Sequence, residues 1–183
     1  LPVPSVGHVE TVAGSGFVRR MPWPGADAAD VVVSAADRDA VLDRLHTAGA
    51  TPAGIWAYEA LRVEARRPRL GFETDHRTIP HEIGFIGSAV HLQKGCYRGQ
   101  ETVARVQNLG KPPRRMVLLH LAGESDELPP PGTPVESGGR AVGFLGTAVQ
   151  HHELGPVALA LIKRALPDDA ALVVDGGSAA IDH

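Results

Sequence analysis

Thiols and aromatic rings are scarce in this chain. Its single cysteine, Cys96, cannot close an internal disulfide, which suits a reducing compartment. It also cannot hold a conventional iron–sulfur cluster alone, because such clusters are usually held by about four cysteine thiolates. Two Trp, two Tyr and four Phe provide no platform on which unpaired bases could stack. A formal net charge of -3 leaves no basic footprint for a phosphate backbone, so direct contact with nucleic acid is not expected. No apolar run approaches the roughly twenty residues a membrane helix needs, and no charged-then-apolar signal stands at the start. The expectation is a soluble, cytoplasmic protein without a membrane partner.

What is present is an ordinary globular composition, 43% apolar over 183 residues, enough for one large or two small domains. The chain opens on Leu1 with Leu-Pro-Val-Pro-Ser, which reads as a connection entered from elsewhere and so as a fragment. Two short strands are expected between Val6 and Met21 around Gly14-Ser15-Gly16. Asp30–Val33 reads as a buried strand, followed by a helix capped at Ser34 that runs to Ala48 with Val41, Leu42 and Leu45 on one face. A second helix is expected from Ala53 to Val63, its extension stopped by Pro68. The strand-helix unit reads as half of a split βαβ, ferredoxin-like layout.

After Lys111-Pro112-Pro113 the composition changes. Arg114–Leu121, Thr133–Ser137, Ala141–Val149, Val157–Ala165, Ala171–Val174 and Ser178–Ile181 read as short strands divided by frequent turns, which predicts a small antiparallel barrel. Gly143 and Gly146 are expected where strands bend. Lys163 and Arg164 stand at a strand end, either as solvated charges or facing a ligand at the barrel mouth.

The densest chemistry lies in Lys94-Gly95-Cys96-Tyr97-Arg98-Gly99-Gln100-Glu101. The run behind it, with Val103 and Val106 on one stripe, predicts a helix and puts the thiol near that helix's N-terminus. Unpaired N–H groups there, with Lys94 and Arg98 close in sequence, would favour a thiolate; the alternative is an inert buried thiol in a tight turn. No histidine stands at a position that identifies a base for it. His76, His81 and His91, like the adjacent pair His151 and His152, lack metal-ligand spacing, so no metal site is expected.

The octet resembles the Lys-Gly-Cys-Tyr-x-Gly-Gln-Glu signature of the YgfZ family, folate-binding relatives of the glycine-cleavage T protein (aminomethyltransferase) that take part in iron–sulfur cluster assembly or maintenance. A second segment, Ala60-Leu-Arg-Val-Glu64-Ala-Arg-Arg-Pro68 through Glu73-Thr-Asp75 and Thr78-Ile-Pro80-His-Glu82, is similar to the segment that in both families leads to the folate cavity. In the T protein the glutamate of its Arg-Val-Glu-Ala core contacts the pterin, which by position carries over to Glu64. A carboxylate can accept a pterin's amino group and ring N–H in a fork, although Glu64 could equally pair with Arg62, Arg66 or Arg67.

The resemblance implies an α+β chain: residues 1–110 as the central part of a ferredoxin-like, T-protein-type folate-binding domain, and 111–183 as the C-terminal β-barrel. It implies Cys96 as functional thiol with Lys94 and Arg98 tuning it, and tetrahydrofolate or a derivative held by Glu64, Glu82, Tyr97, Gln100, Glu101 and Arg105. Iron–sulfur proteins or assembly factors would be the partners, with tRNA modification affected indirectly. The alternative is a tetrahydrofolate-dependent aminomethyltransferase of glycine cleavage. The N-terminal portion that completes the cavity in these families, and that supplies the T protein's catalytic aspartate, has no counterpart in the sequence and is itself an expected partner.

Overall fold

A computed structural model describes residues 3–5, 8–12, 16–22, 28–122 and 127–183. The chain divides into two compact units, Leu1–Tyr58 and Glu59–His183. In the first, β1 (Val9–Thr11), β2 (Phe17–Arg20) and β3 (Ala29–Val32) form an antiparallel sheet in sequence order. Val18 pairs with Val31 and is buried, and Arg19 pairs with Asp30 across the sheet at 2.7 Å. The turn expected at Gly14-Ser15-Gly16 falls largely outside the described residues. No strand among the described residues joins this sheet after the helix, so what stands here is an antiparallel meander followed by a helix; a full ferredoxin-like βαβ is not seen.

Helix α1 (Arg38–Thr47) begins one turn later than its expected cap. Ser34 closes the preceding turn instead: its Oγ accepts from Asp37 N–H at 3.2 Å and donates to Asp37 Oδ2 at 2.7 Å. Helix α2 (Ile55–Glu64) leaves Ile55 and Trp56 exposed but buries Ala60 and Val63. It ends in a two-bond cap around Arg66, which takes a left-handed φ of 52°: Arg66 N–H reaches Val63 O at 2.9 Å and Arg67 N–H reaches Arg62 O at 3.0 Å. The helix therefore stops at Glu64, four residues before Pro68, with carbonyls of its last turn satisfied.

The second unit is built on a closed antiparallel barrel in the order β4-β7-β6-β5-β8-β9. Its strands are β4 (Arg114–Leu121), β5 (Pro134–Ser137), β6 (Arg140–His151), β7 (Gly155–Lys163), β8 (Leu172–Val174) and β9 (Gly177–Ile181). All six lie where hydrophobic alternation and turn residues put them. Two hairpins close with two-residue loops, Gly138-Gly139 and Asp175-Gly176, whose positive φ angles match the twist of the flanking strands.

Alternation sorts the barrel's two faces. Val117 and Leu119 of β4 and Ala158, Ala160 and Ile162 of β7 point inward with Leu145, Leu172 and Ile181. Leu118, Val149, Val157 and Leu159 point outward, where Ala60 and Val63 of α2 cover them. Strands β4 and β7 are thus buried on both faces, which explains their near-continuous apolar runs.

Helix α2 and the loop behind it are bound to the barrel by a buried polar network. The Arg62 guanidinium makes five hydrogen bonds with its five N–H donors: two to Glu59 Oε2 (2.8 and 3.1 Å), one to Arg67 O (2.5 Å), one to Thr147 Oγ1 (2.6 Å) and one to Glu73 Oε2 (3.4 Å). The fully buried Glu73 carboxylate accepts in addition from Thr147 N–H at 2.7 Å, Thr147 Oγ1 at 2.6 Å and Arg69 N–H at 2.5 Å. Gly146 makes room for it. A Cβ there would lie 2.7 Å from Glu73 Cγ and Oε1, beside the register shift of β6 between Leu145 and Ala148. The bend expected at Gly146 is this bulge, and its occupant is a carboxylate from outside the barrel.

Gly146→Ala should therefore displace Glu73 and cost about 2 kcal/mol of stability in urea denaturation, the scale of an overpacked interior site. An unchanged midpoint would mean that Glu73 is not seated against Gly146.

Candidate functional site

The signature loop leads into α3 (Gln100–Leu109), whose N-cap is Gly99 in the left-handed region. Cys96 is a free thiol, exposed, three residues before that cap. It is near the helix but ahead of its first turn, where the pull of the dipole is concentrated. The buried, inert alternative for the thiol does not apply. Lys94 Nζ lies 5.2 Å from the centroid of the Tyr97 ring in a cation–π contact, so its ammonium is drawn to the ring. Arg98 is exposed; Tyr97 and Gln100 are half-buried. On α3, Arg105 and Glu101 form an exposed pair at 3.7 Å, a contact across one helical turn. The helix is held to the residues before the loop through His81, whose Nε2 is 3.1 Å from Gln107 Oε1.

Glu64 is the last residue of α2, on the side of the helix facing the end of β6. Its side chain is 47% exposed, and its Oε2 lies 3.3 Å from Nε2 of the buried His151. Nδ1 of that ring accepts from the backbone N–H groups of Glu153 (3.2 Å) and Leu154 (3.1 Å), which leaves the hydrogen on Nε2, pointed at Glu64. None of the arginines considered as partners takes Glu64: Arg62 is committed to the buried network and Arg66 pairs with Asp182 at 2.5 Å. Glu64 therefore keeps most of its accepting capacity.

Glu82 is placed differently. It lies in a 3-10 turn (Pro80–Ile83), nearly fully buried, with Oε2 accepting from Ile79 N–H at 3.1 Å and both oxygens accepting from Arg114 at 2.8 and 2.9 Å. Arg114 also forks onto Asp75 at 2.8 and 3.1 Å. The hydrogen bonds that it donates to Glu82 and then to Asp75 raise Arg114 above its ordinary value, and Arg114 in turn holds the Asp75 carboxyl well below the usual range. Glu82 is thus engaged in joining the turn to the first barrel strand, with both of its oxygens bonded to Arg114. In the network at Glu59, burial opposes ionisation, but Arg62 and Arg69 outweigh it and lower that carboxyl.

Two groups of expected site residues emerge: the exposed octet with the start of α3, and Glu64 with His151. No hydrogen bond or ion pair among the described residues joins them. Sequence reasoning missed His151, set aside as one of an adjacent pair, and missed Glu73 and Arg62. His151 is the last residue of β6 and is buried, whereas His152 lies in the turn that follows and is exposed. A glycine inside the strand pattern, Gly146, was the available sign that another group comes close.

Residues 114–181 match the family described as CAF17, C-terminal beta-barrel domain. Over 92% of its length the chain superimposes on the crystal structure of the glycine cleavage system aminomethyltransferase T from Bartonella henselae, with a TM-score of 0.76 and 17% identity. The fold is that of the T protein. In sequence this T-protein-type chain is 32% identical over 169 residues to the aminomethyltransferase of Nostoc sp. and 32% identical over 176 residues to that of Streptomyces avermitilis. Each of these alignments takes in 90% of the chain, which spans 44% and 46% of the two relatives' own lengths. Together with the barrel match, they support the T-protein superfamily.

The Arg114 junction makes an acid-sensitivity prediction. Because Asp75 is lowered in the fold, its contribution is complete above the ordinary carboxylate pKa of about 3.9 and is lost as pH falls toward the folded value. Arg114→Met should cost about 3 kcal/mol at neutral pH, since Glu82 is left buried without its cation, and should flatten the loss of stability below about pH 5. Urea denaturation of both proteins at several pH values measures both effects; parallel curves would contradict the assignment to Asp75.

Proposed function

We propose that this chain is part of a folate-binding protein of the YgfZ type that supports iron–sulfur cluster assembly or maintenance. The observation that carries the reading is the complete Lys94–Glu101 octet, with Cys96 exposed on a loop of a T-protein-type fold. Exposure is what a thiol needs if it is to meet a partner's cluster, a partner's thiolates or an oxidant. One thiol cannot hold a conventional cluster, so the role is accessory and the partners are iron–sulfur proteins or their assembly factors. An effect on tRNA modification would follow indirectly, through the enzymes served.

The folate would be a tetrahydrofolate, a one-carbon carrier when bound. The residues present fit one end of it. Glu64 is half exposed, engages one neighbour at 3.3 Å and has lone pairs left for a pterin's amino group and ring N–H. His151, donating to the same carboxylate at 3.3 Å, would keep it aimed. Tyr97 and Gln100, both half-buried, and Glu101 and Arg105 on the exposed side of α3 are the further candidate contacts. The two-domain division at residue 110/111, with the N-terminal portion of the same protein as partner, belongs to this reading.

The similarity to relatives named aminomethyltransferase favours a second reading, a tetrahydrofolate-dependent aminomethyltransferase of glycine cleavage. The thiol separates the two, because aminomethyl transfer in the T protein does not rely on a cysteine at that position.

Calorimetric titration of the protein, with its N-terminal portion, should give saturable tetrahydrofolate binding that Glu64→Ala weakens about tenfold or more, the scale of a lost charge-assisted fork. Cys96→Ser should retain folate binding and a thermal midpoint within a few degrees, yet fail to restore iron–sulfur enzyme activity in cells lacking the protein. Full restoration by the serine variant would defeat the YgfZ-type role, and absence of folate binding would defeat both readings.

A further inference from the structure

A cleft of about 310 Å³ opens between the turn that ends α2, the 3-10 turn and the start of the barrel, and it lies wholly within the second unit. Three buried side-chain nitrogens have no hydrogen-bond partner in the protein among the described residues: Arg67 Nε, His81 Nδ1 and Arg115 Nε. All three belong to residues lining this one cleft. Buried polar atoms left unpaired are uncommon in folded proteins, and three on residues around one cleft mark it as a place where the chain's own polar groups are not fully matched.

The charges agree. Of the cations around the cleft, Arg66 is paired with Asp182 and Arg115 with Asp168, and the lining carboxylate Glu82 is engaged by Arg114. Among the described residues, Arg67 and Arg164 have no carboxylate within ion-pair distance. Arg164 Nε donates to Pro112 O at 3.0 Å, which fixes the stem while leaving the rest of the fork. Arg67 is held in place by the backbone: the left-handed Arg66 turns the chain, and Arg62 pins the Arg67 carbonyl at 2.5 Å. Two uncompensated guanidinium groups on anchored backbone make a site for an oxyanion.

The rest of the lining suggests what the anion is attached to. Ile83, Phe85 and Met116 give the cleft an apolar side that a bare inorganic ion would not use. His81 bonds Gln107 Oε1 through Nε2, so its buried Nδ1 is left as an unpaired acceptor beside the cleft. We propose that this cleft binds a small organic oxyanion, a phosphate monoester or a carboxylate on an apolar body, through Arg67 and Arg164. The proposal does not rest on the folate reading, and its test uses no folate.

Phenyl phosphate and benzoate would be titrated into the 15N-labelled 183-residue chain at constant ionic strength, with sodium chloride as the control for screening. Saturable shifts should appear at Arg67, His81, Phe85 and Arg115 with one or both probes. Phosphate alone would assign the site to phosphate monoesters, benzoate alone to carboxylates, and both to oxyanions of either kind. Arg67→Gln and Arg164→Gln should each weaken binding at least about tenfold with the thermal midpoint unchanged. Shifts that fail to saturate, that match the chloride control, or that fall outside the cleft would overturn the proposal from the parent protein alone, whatever the variants do.

Discussion

The second unit depends on one buried guanidinium. Arg62 leaves the apolar stripe of α2 at the level of the barrel wall, and each of its five donors meets an acceptor: Glu59 on its own helix, the Arg67 carbonyl at the end of that helix, Glu73 beyond it and Thr147 in the barrel. A charge taken out of water at such a depth is tolerated because its acceptors include two carboxylates and no donor is orphaned. Glu73, with no exposed surface, is neutralised by Arg62 and satisfied by two backbone N–H groups. Remove either partner and the other is left buried and uncompensated. The network is therefore all-or-nothing, and it sets where α2 ends, where the following loop starts and how both meet β6.

The position of Glu64 follows from that constraint. Once Arg62 and Val63 face the barrel, the next residue of the helix must turn away from it, so Glu64 is presented near the end of β6, where His151 meets it. The left-handed Arg66 then turns the chain, and Arg67 lines the arginine-bearing cleft. Two surfaces with different chemistry, one presenting a carboxylate and one presenting guanidinium groups, are fixed by a single helix terminus.

The barrel was legible in the sequence because its signals are local: alternation along each strand, and Gly-Gly or Asp-Gly loops that admit a single kind of hairpin. The octet was legible for the same reason, and α3 begins within it, at Gln100. What could not be read were relations between distant residues. Glu73 looked like any acidic loop residue, since nothing near it in the chain tells that Thr147 will satisfy it. Glu82 looked like a ligand candidate, and its commitment to Arg114, thirty-two residues away, is a tertiary fact. The start of α1 was misjudged by a turn because Ser34 has two hydrogen-bonding options, and both its bonds to Asp37 draw the chain into a turn before the helix. The ferredoxin-like reading extended a strand-helix unit by analogy, whereas the described strands of the first unit pair only as a meander.

Closure of the barrel rests on β9, whose Ile181 pairs with Leu119 of β4. That is the most distant strand pairing in the barrel, and it can form only after every other barrel strand has been made. During synthesis β4 and its partner β7 emerge and pair early, while the other edge of β4, with its apolar residues, waits for a strand still inside the ribosome. Until it arrives the molecule is an open sheet with one sticky border, the condition under which nascent β-proteins stray into intermolecular pairing. Strand β9 thus decides whether the barrel becomes a sealed cylinder or stays open as a template for aggregation.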